Sequence, residues 1–389
     1  MGFFSGRVTI ARYKVKGHAP RLFDEEFLKK LAAHAAGCQR LASADGVEVG
    51  WTAGDHILDT RFELAKNVIN DQLFFALRID TQRLPSDLLK AYYATDLRAL
   101  AAGNPSGKPS ARQKREARDS ARDRLEQEAK DGRYTKRKAF EVVWDRLSNE
   151  LLFANTSLTQ IDRLLSLFRD TFGRGFEAIT AGSRAYQLAE THQRTRSVDD
   201  ASPSPFVPKF AVNDIAWVLD EASRDFLGNE YLLWLWYLVE CEEDIIKVAD
   251  DSEISVMPAR TLTLECPRGQ TGHETITADG PTQLPEARRA IQTGKLPRKV
   301  GLTLARHDIT YELTLHAESL GVSSARLPAP EEQHERARLE ARADQIRHLI
   351  ETLDLLFDVF CQRRLSGDWP KELAKMQKWL KGEELRKHS

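Results

Sequence analysis

The stretch EYLLWLWYLVE at 230–240 constrains the fold more than any other part of this chain. As a helix it carries apolar groups on nearly every side, so it must be buried on more than one face. It is too short to cross a bilayer, which needs about 20 apolar residues. Tyr231, Trp234, Trp236 and Tyr237 are interleaved with leucines, a pattern that suits packing better than a platform for stacking bases. A second apolar signal follows downstream. Leu339, Ala343, Ile346, Ile350, Leu353, Phe357 and Phe360 repeat at 4-3 spacing over three heptads, which reads most simply as an intramolecular core helix, with dimer contact as the alternative.

Around these helices the periodicity predicts an α+β protein with largely antiparallel sheets. Residues 7–16 alternate as a strand, and Asp24 caps a helix running to Gly37. VEVGW (47–51) and LFFALRI (73–79) are strands, and Pro85 and Ser86 open a helix carrying Leu89, Tyr93, Leu97 and Leu100. AFEVVWD (139–145) and ELLFANT (150–156) read as a hairpin. Ser157 with Gln160 reads as a capping box for the helix that follows. Residues 173–210 read as irregular, with DDASPSPFVPK (199–209) as a linker. Strands at 255–266, 299–305 and 309–318, a short helix at 285–295 and helices from Ala329 onward complete the pattern. The expected organisation is an N-terminal region (1–198) with a helical arm at 104–138, a second α+β region (210–328) and C-terminal helices (329–389).

Charge is the next constraint. The formal net charge of the 389 residues is −1, so a polyanion would be attracted only by local segregation. The breaker cluster GNPSGKPS (103–110) introduces such a segment: from Lys108 to Lys138 there are twelve Lys or Arg against six Asp or Glu, a formal +6. Its apolar residues, Ala117, Ala121, Leu125 and Ala129, form one narrow stripe, so the helix buries little. Arg112, Lys114, Arg115 and Arg118 are candidate phosphate contacts. The alternative is a solvated helix laced with the pairs Arg112–Glu116, Arg115–Asp119 and Arg124–Glu128. A second basic cluster, Arg288, Arg289, Lys295, Arg298 and Lys299, surrounds a helix-to-strand turn at Gly294. Free amides and five cations would suit a phosphate there, whereas basic residues at an αL helix end also favour the helix dipole.

Catalytic signatures are absent: the chain contains no GxxxxGK[ST], GxGxxG after a strand, GxSxG or HExxH. GDHILD (54–59) gathers Asp55, His56 and Asp59, which could hold Mg²⁺ or Mn²⁺ for phosphodiester hydrolysis. The simpler reading is a turn whose carboxylates bond backbone amides. Cys38, Cys241, Cys266 and Cys361 are widely separated, which argues for free thiols and against a zinc site or a disulfide framework. MGFFSGRVTIARY has no apolar run of signal-peptide length, so the expectation is a cytoplasmic protein with no membrane partner.

The motifs GWTAGDHILD, LPSDLLKAY, FEVVWDRLSNELLFANTS leading into IDRLLSLFRDTFG, and AIQTGKLPRKVGLTL before the ITYELTL hairpin span most of the chain. In their order it resembles the bacterial recombination-associated RdgC family. The resemblance implies a homodimer closed into a ring around double-stranded DNA, located at the nucleoid, binding with little sequence preference and limiting RecA-driven recombination without a cofactor. It also implies a DNA-contacting role for Lys295 and Lys299, which match the family's GK turn and following lysine. The chain departs from the family at DGPTQ (279–283), where a basic run is replaced by no cation, in an added stretch near 255–275, and in a longer tail. The expected function is therefore sequence-tolerant DNA binding. A metal-dependent nuclease using Asp55, His56 and Asp59, and a protein-interaction scaffold, are the alternatives.

Overall fold

The computed structural model describes residues 2–3, 6–38, 46–104, 107–210, 215–218, 220–268, 272–332 and 334–383. Pro105 and Ser106 of the breaker cluster, residues 269–271 of the added stretch and the last six residues of the tail lie outside them. The first elements are β1 (Val8–Val15), α1 (Glu25–Ala33), β2 (Val47–Thr52), α2 (Leu64–Asn67), β3 (Val68–Ile69), β4 (Gln72–Gln82), α3 (Ser86–Ala102) and α4 (Ala111–Ala129). There follow β5 (Thr135–Asp145), β6 (Glu150–Phe153), α5 (Leu158–Phe172), β7 (Phe176–Ala178), α6 (Ala181–Thr191), α7 (Thr195–Asp199) and α8 (Phe226–Cys241). The chain ends with β8 (Ile245–Lys247), β9 (Glu253–Glu265), β10 (His273–Ala278), α9 (Pro285–Gln292), β11 (Leu296–Arg306), β12 (Ile309–His316), β13 (Val322–Arg326), α10 (Glu335–Arg364) and α11 (Trp369–Leu380). The class is α+β, and the strand pairs β1–β13, β1–β6, β1–β7, β9–β10, β11–β12, β9–β11, β12–β13, β2–β4, β3–β4, β5–β6 and β8–β9 are all antiparallel. No helix among the described residues is long and apolar enough to cross a membrane.

The chain divides into two compact units. The larger comprises Met1–Phe23, Val68–Phe74 and Glu141–Ser389. Its strands run in the order β10-β9-β11-β12-β13-β1-β6-β5, the last through its Glu141–Asp145 end. Helix α8 packs on β9 and β11 and is covered by α6, α10 and α11, which is how a helix apolar all round becomes buried. Tyr231 meets Phe357 edge-on at 5.2 Å and Trp236 meets Trp379 at 5.5 Å. Each such side chain, taken out of water, contributes about 1.5–3 kcal/mol. From the heptad stripe, Ala343, Ile346, Leu353, Phe357 and Phe360 are buried in this core, with Leu339 and Ile350 packed against it.

Three sequence expectations differ here. Residues 173–210 are not irregular: they hold β7, α6 and α7. Helix α6 escaped notice because its buried stripe is Ala181, Ala185 and Ala189, and its Thr180–Ser183 capping box uses a short residue at the third position. The segment 199–209 runs inside the larger unit and is fastened to it. Glu230, paired with Arg364 at 2.5 Å, accepts from the Ser204 amide, while Arg364 donates to Ser202 O and Gln377 to Pro205 O. Ser157 makes no side-chain cap. Its amide is taken instead by Asn155 Oδ1 at 2.8 Å.

The smaller unit comprises Asp24–Asn67 and Phe75–Phe140. Val47–Thr52 pairs with the Ala76–Thr81 stretch of β4, and Trp51 packs edge-on against Phe75 at 5.0 Å. Asp24 caps α1 by accepting from the amides of Glu26 and Phe27. Helices α3 and α4 pack together as a hairpin.

Candidate nucleic-acid interface

The hairpin of α3 and α4 presents the first basic surface. Ser110 and Gln113 close a capping box at the start of α4, and Asn104 ties Gln113 to the loop at 2.7 Å. Ala117, Ala121, Leu125 and Ala129 are the buried stripe, so every other face projects outward. At the far end the Tyr134 and Tyr92 hydroxyls both donate to Glu128 at 2.7 Å, which holds that carboxyl below its usual range. Arg124 lies over the Tyr92 ring at 5.0 Å. The hairpin is thereby clamped at both ends.

Arg112, Lys114, Arg115 and Arg118 are all exposed, and none of them makes an ion pair among the described residues. The pairs Arg112–Glu116, Arg115–Asp119 and Arg124–Glu128 do not form; of the cation-first spacings on α4, only Arg122–Glu126 closes among the described residues, at 2.8 Å. Cation before anion is the weaker order on a helix. Arg124 leans instead toward Asp96 at 3.7 Å. The cations at 112, 114 and 115 also sit in the first turns of α4, where the helix dipole opposes them and the local potential is most positive. Lys136 and Lys138 on the exposed start of β5 are likewise in no ion pair, whereas Arg137 pairs with Asp80 at 3.3 Å. The smaller unit holds twenty-one Lys and Arg against seventeen Asp and Glu, a formal +4, and the larger unit carries −5.

The cluster around Gly294, in the larger unit, is built differently. Lys295 pairs with Glu274 and its side chain is only 11% exposed. Arg298 is held between Glu265 at 2.5 Å and Glu318 at 2.6 Å, with its guanidinium over the Trp217 ring at 4.4 Å. Arg288 pairs with Glu240 beside Trp379. Arg289 and Lys299 remain exposed, with no ion pair among the described residues. The turn itself offers no spare amide. Thr293, Gly294 and Lys295 donate to Arg289, Ile291 and Ala290 carbonyls at 3.0, 2.8 and 3.2 Å, an αL helix end at Gly294 with φ +90°. A Cβ there would meet Phe210 at 2.5 Å, so glycine is required by space as well as by φ. Burial, with Lys299 and Arg298 nearby, pushes the His316 imidazole down to about 4.

Sequence reasoning missed Glu240, Glu265, Glu274 and Glu318, the acids that occupy these cations. Register brings them in: Leu296 pairs with Glu265, and Glu274 lies opposite Leu264 on the far side of β9. No local signal marks partners 21 and 33 residues away.

GDHILD forms a closed turn. Ala53 N donates to Asp59 O and Asp59 N to His56 O, while Leu58 N donates to His56 Nδ1 at 3.2 Å. Lys66 lies 2.7 Å from Asp59 and 3.5 Å from Asp55. Burial pushes the Asp59 carboxyl up, but Lys66 and the Arg61 amide outweigh it and hold the group below its usual range. Among the described residues no three His, Cys, Asp or Glu side chains converge to hold a metal, and none of the four cysteines is disulfide-bonded. A separate cleft of about 620 Å³ in the larger unit is lined by Asp145, Arg184, Arg347 and Asp354. Its arginines are already paired, Arg184 with Asp354 at 2.8 Å and Arg347 with Asp145 at 2.9 Å.

A scan of the sequence against protein-family models finds no match, and a search of curated proteins finds no relative.

Proposed function

We propose that this protein binds double-stranded DNA without reading its sequence, through phosphate contacts made chiefly by α4, and that it does so as a homodimer without catalysing a reaction. The observation that carries the reading is the set Arg112, Lys114, Arg115 and Arg118, exposed along the first half of a clamped helix and in no ion pair among the described residues. Four exposed cations, those at 112, 114 and 115 opposed by their own helix dipole, in a unit of net positive charge, are what a phosphate backbone would neutralise. The resemblance to the RdgC family supports the choice of duplex DNA, the dimer and a role in restraining RecA at the nucleoid. Lys299 and Arg289 are the members of the second cluster available for direct contact. Lys295, Arg298 and Arg288 would first have to leave their carboxylates.

Contacts of this kind carry no base code. The test is a fluorescence-anisotropy titration of labelled duplexes of unrelated sequence at several salt concentrations. Equal affinities that fall steeply with salt are expected. Salt-independent binding, or none at low salt, would sink the reading.

A further inference from the structure

The two-residue turn between β11 and β12 is made of His307 and Asp308, at φ 49° and 61°. Both positions of such a hairpin turn require positive φ, which is why Asn-Gly is the usual choice. Aspartate and histidine are among the few other residues that tolerate this region. The turn sets the His307 imidazole beside His348 of α10, with His307 Nδ1 and His348 Nε2 3.4 Å apart. That is long for a nitrogen–nitrogen hydrogen bond, whose usual range centres near 3 Å. It matches the separation of two ligands on one tetrahedral ion, since nitrogens at about 2.05 Å from zinc lie roughly 3.3 Å from each other.

The surroundings orient the pair. Tyr311 lies with its hydroxyl 2.8 Å from His348 Nδ1 and donates to Gln345 O at 3.3 Å. When the hydroxyl gives its proton to that carbonyl it accepts from Nδ1–H, the tautomer in which Nε2 keeps its lone pair toward His307. Metal-bound histidines are held in this way, by an oxygen on the ring nitrogen that does not touch the metal. Burial, with Arg306 and His307 nearby, holds the His348 imidazole below its usual range, so it stands neutral with a lone pair to offer. Arg306 is itself engaged by Asp250 and by Glu351 at 3.2 Å.

We propose that His307 and His348 form a binding site for one borderline divalent metal ion, zinc in the first instance, with Tyr311 as the residue that positions His348. Imidazole suits Zn²⁺, Cu²⁺ and Ni²⁺ alike. The two imidazoles are the protein's whole contribution, and water would complete the coordination. A bound ion would pin the β11–β12 turn to α10.

The test is calorimetric titration of the metal-stripped full chain with zinc chloride. His307→Asn keeps a residue that tolerates positive φ while removing the imidazole, so it guards against a folding defect in His348→Ala. One zinc per chain is expected for the wild type and for His192→Ala, a histidine elsewhere in the unit. Affinity should fall at least tenfold in His307→Asn and in His348→Ala, and by about tenfold in Tyr311→Phe. Absence of zinc binding by the wild type, or unchanged affinity and stoichiometry in His307→Asn and His348→Ala, would overturn the proposal.

Discussion

The basic cluster at Gly294 and the basic helix α4 look alike as strings of letters, and they differ in what surrounds each charge. Around Gly294, Lys295, Arg298 and Arg288 are each matched to a carboxylate brought in by the fold. On α4, Arg112, Lys114, Arg115 and Arg118 have no such partner among the described residues. A sheet places side chains from distant strands opposite one another, so cations there acquire acids from elsewhere in the chain. A helix standing on a narrow alanine stripe has few neighbours beyond its own turns. A phosphate must break an ion pair to reach Lys295, Arg298 or Arg288, and only displace water and counterions at the α4 cations.

Removing the α4 cations should therefore give the largest change. Replacing Arg112, Lys114, Arg115 and Arg118 together by Ala is expected to weaken duplex binding on the order of a hundredfold at low salt. Circular dichroism should be unchanged, because exposed substitutions alter stability by about 0.5 kcal/mol or less each. Arg298→Ala inverts the pattern: it strands Glu265 and Glu318 and uncovers Trp217, so about 2 kcal/mol of stability should be lost in chemical denaturation. A cost equal to that of Arg115→Ala would erase the distinction between the regions.

His316 supplies a pH test beside Lys299. Its folded pKa, about 4, lies below the ordinary histidine value, so between about 4 and 6.5 the unfolded chain binds the extra proton. Stability should then rise with pH across that window, by at most about 1.4 kcal/mol per pH unit from this group, and level off above it. His316→Gln should flatten the rise; the same slope in the variant would remove His316 as its cause. Asp59→Ala should cost about 1 kcal/mol through the lost Lys66 and Arg61 contacts, with duplex affinity unchanged. The smallest expected effect is a gain: Glu274→Gln releases Lys295 and should raise duplex affinity several-fold at low salt. If affinity stays flat, Lys295 faces no phosphate even when free.

Much of the fold was legible because period and burial agree. The α8 aromatics, the heptad stripe of α10 and the alternation in β1, β11 and β12 each predict their element. What escaped was carried by small or polar residues. Helix α6 buries alanines, and β10 reads HETITA with only Ile276 as a large apolar group. The linker expected at 199–209 failed because a proline- and serine-rich segment can be fastened through its backbone by distant groups such as Arg364. At the candidate site the helix stripe and its exposed cations were visible. The occupancy of the Gly294 cations was not, since it depends on strand register across three strands.

The central claim is that affinity resides in the unpaired cations of α4, and salt dependence measures it most directly. Duplex affinity should be followed against salt for the wild type, for the α4 quadruple alanine variant and for Lys295→Ala/Lys299→Ala. Each neutralised phosphate contributes about 0.9 to the logarithmic slope, so losing four contacts on α4 should flatten it by roughly 3.6. The Lys295/Lys299 variant should lose less than about 1, since only Lys299 stands unpaired. If the α4 variant keeps the wild-type slope while the Lys295/Lys299 variant loses most of it, the assignment of binding to the unpaired helix is contradicted.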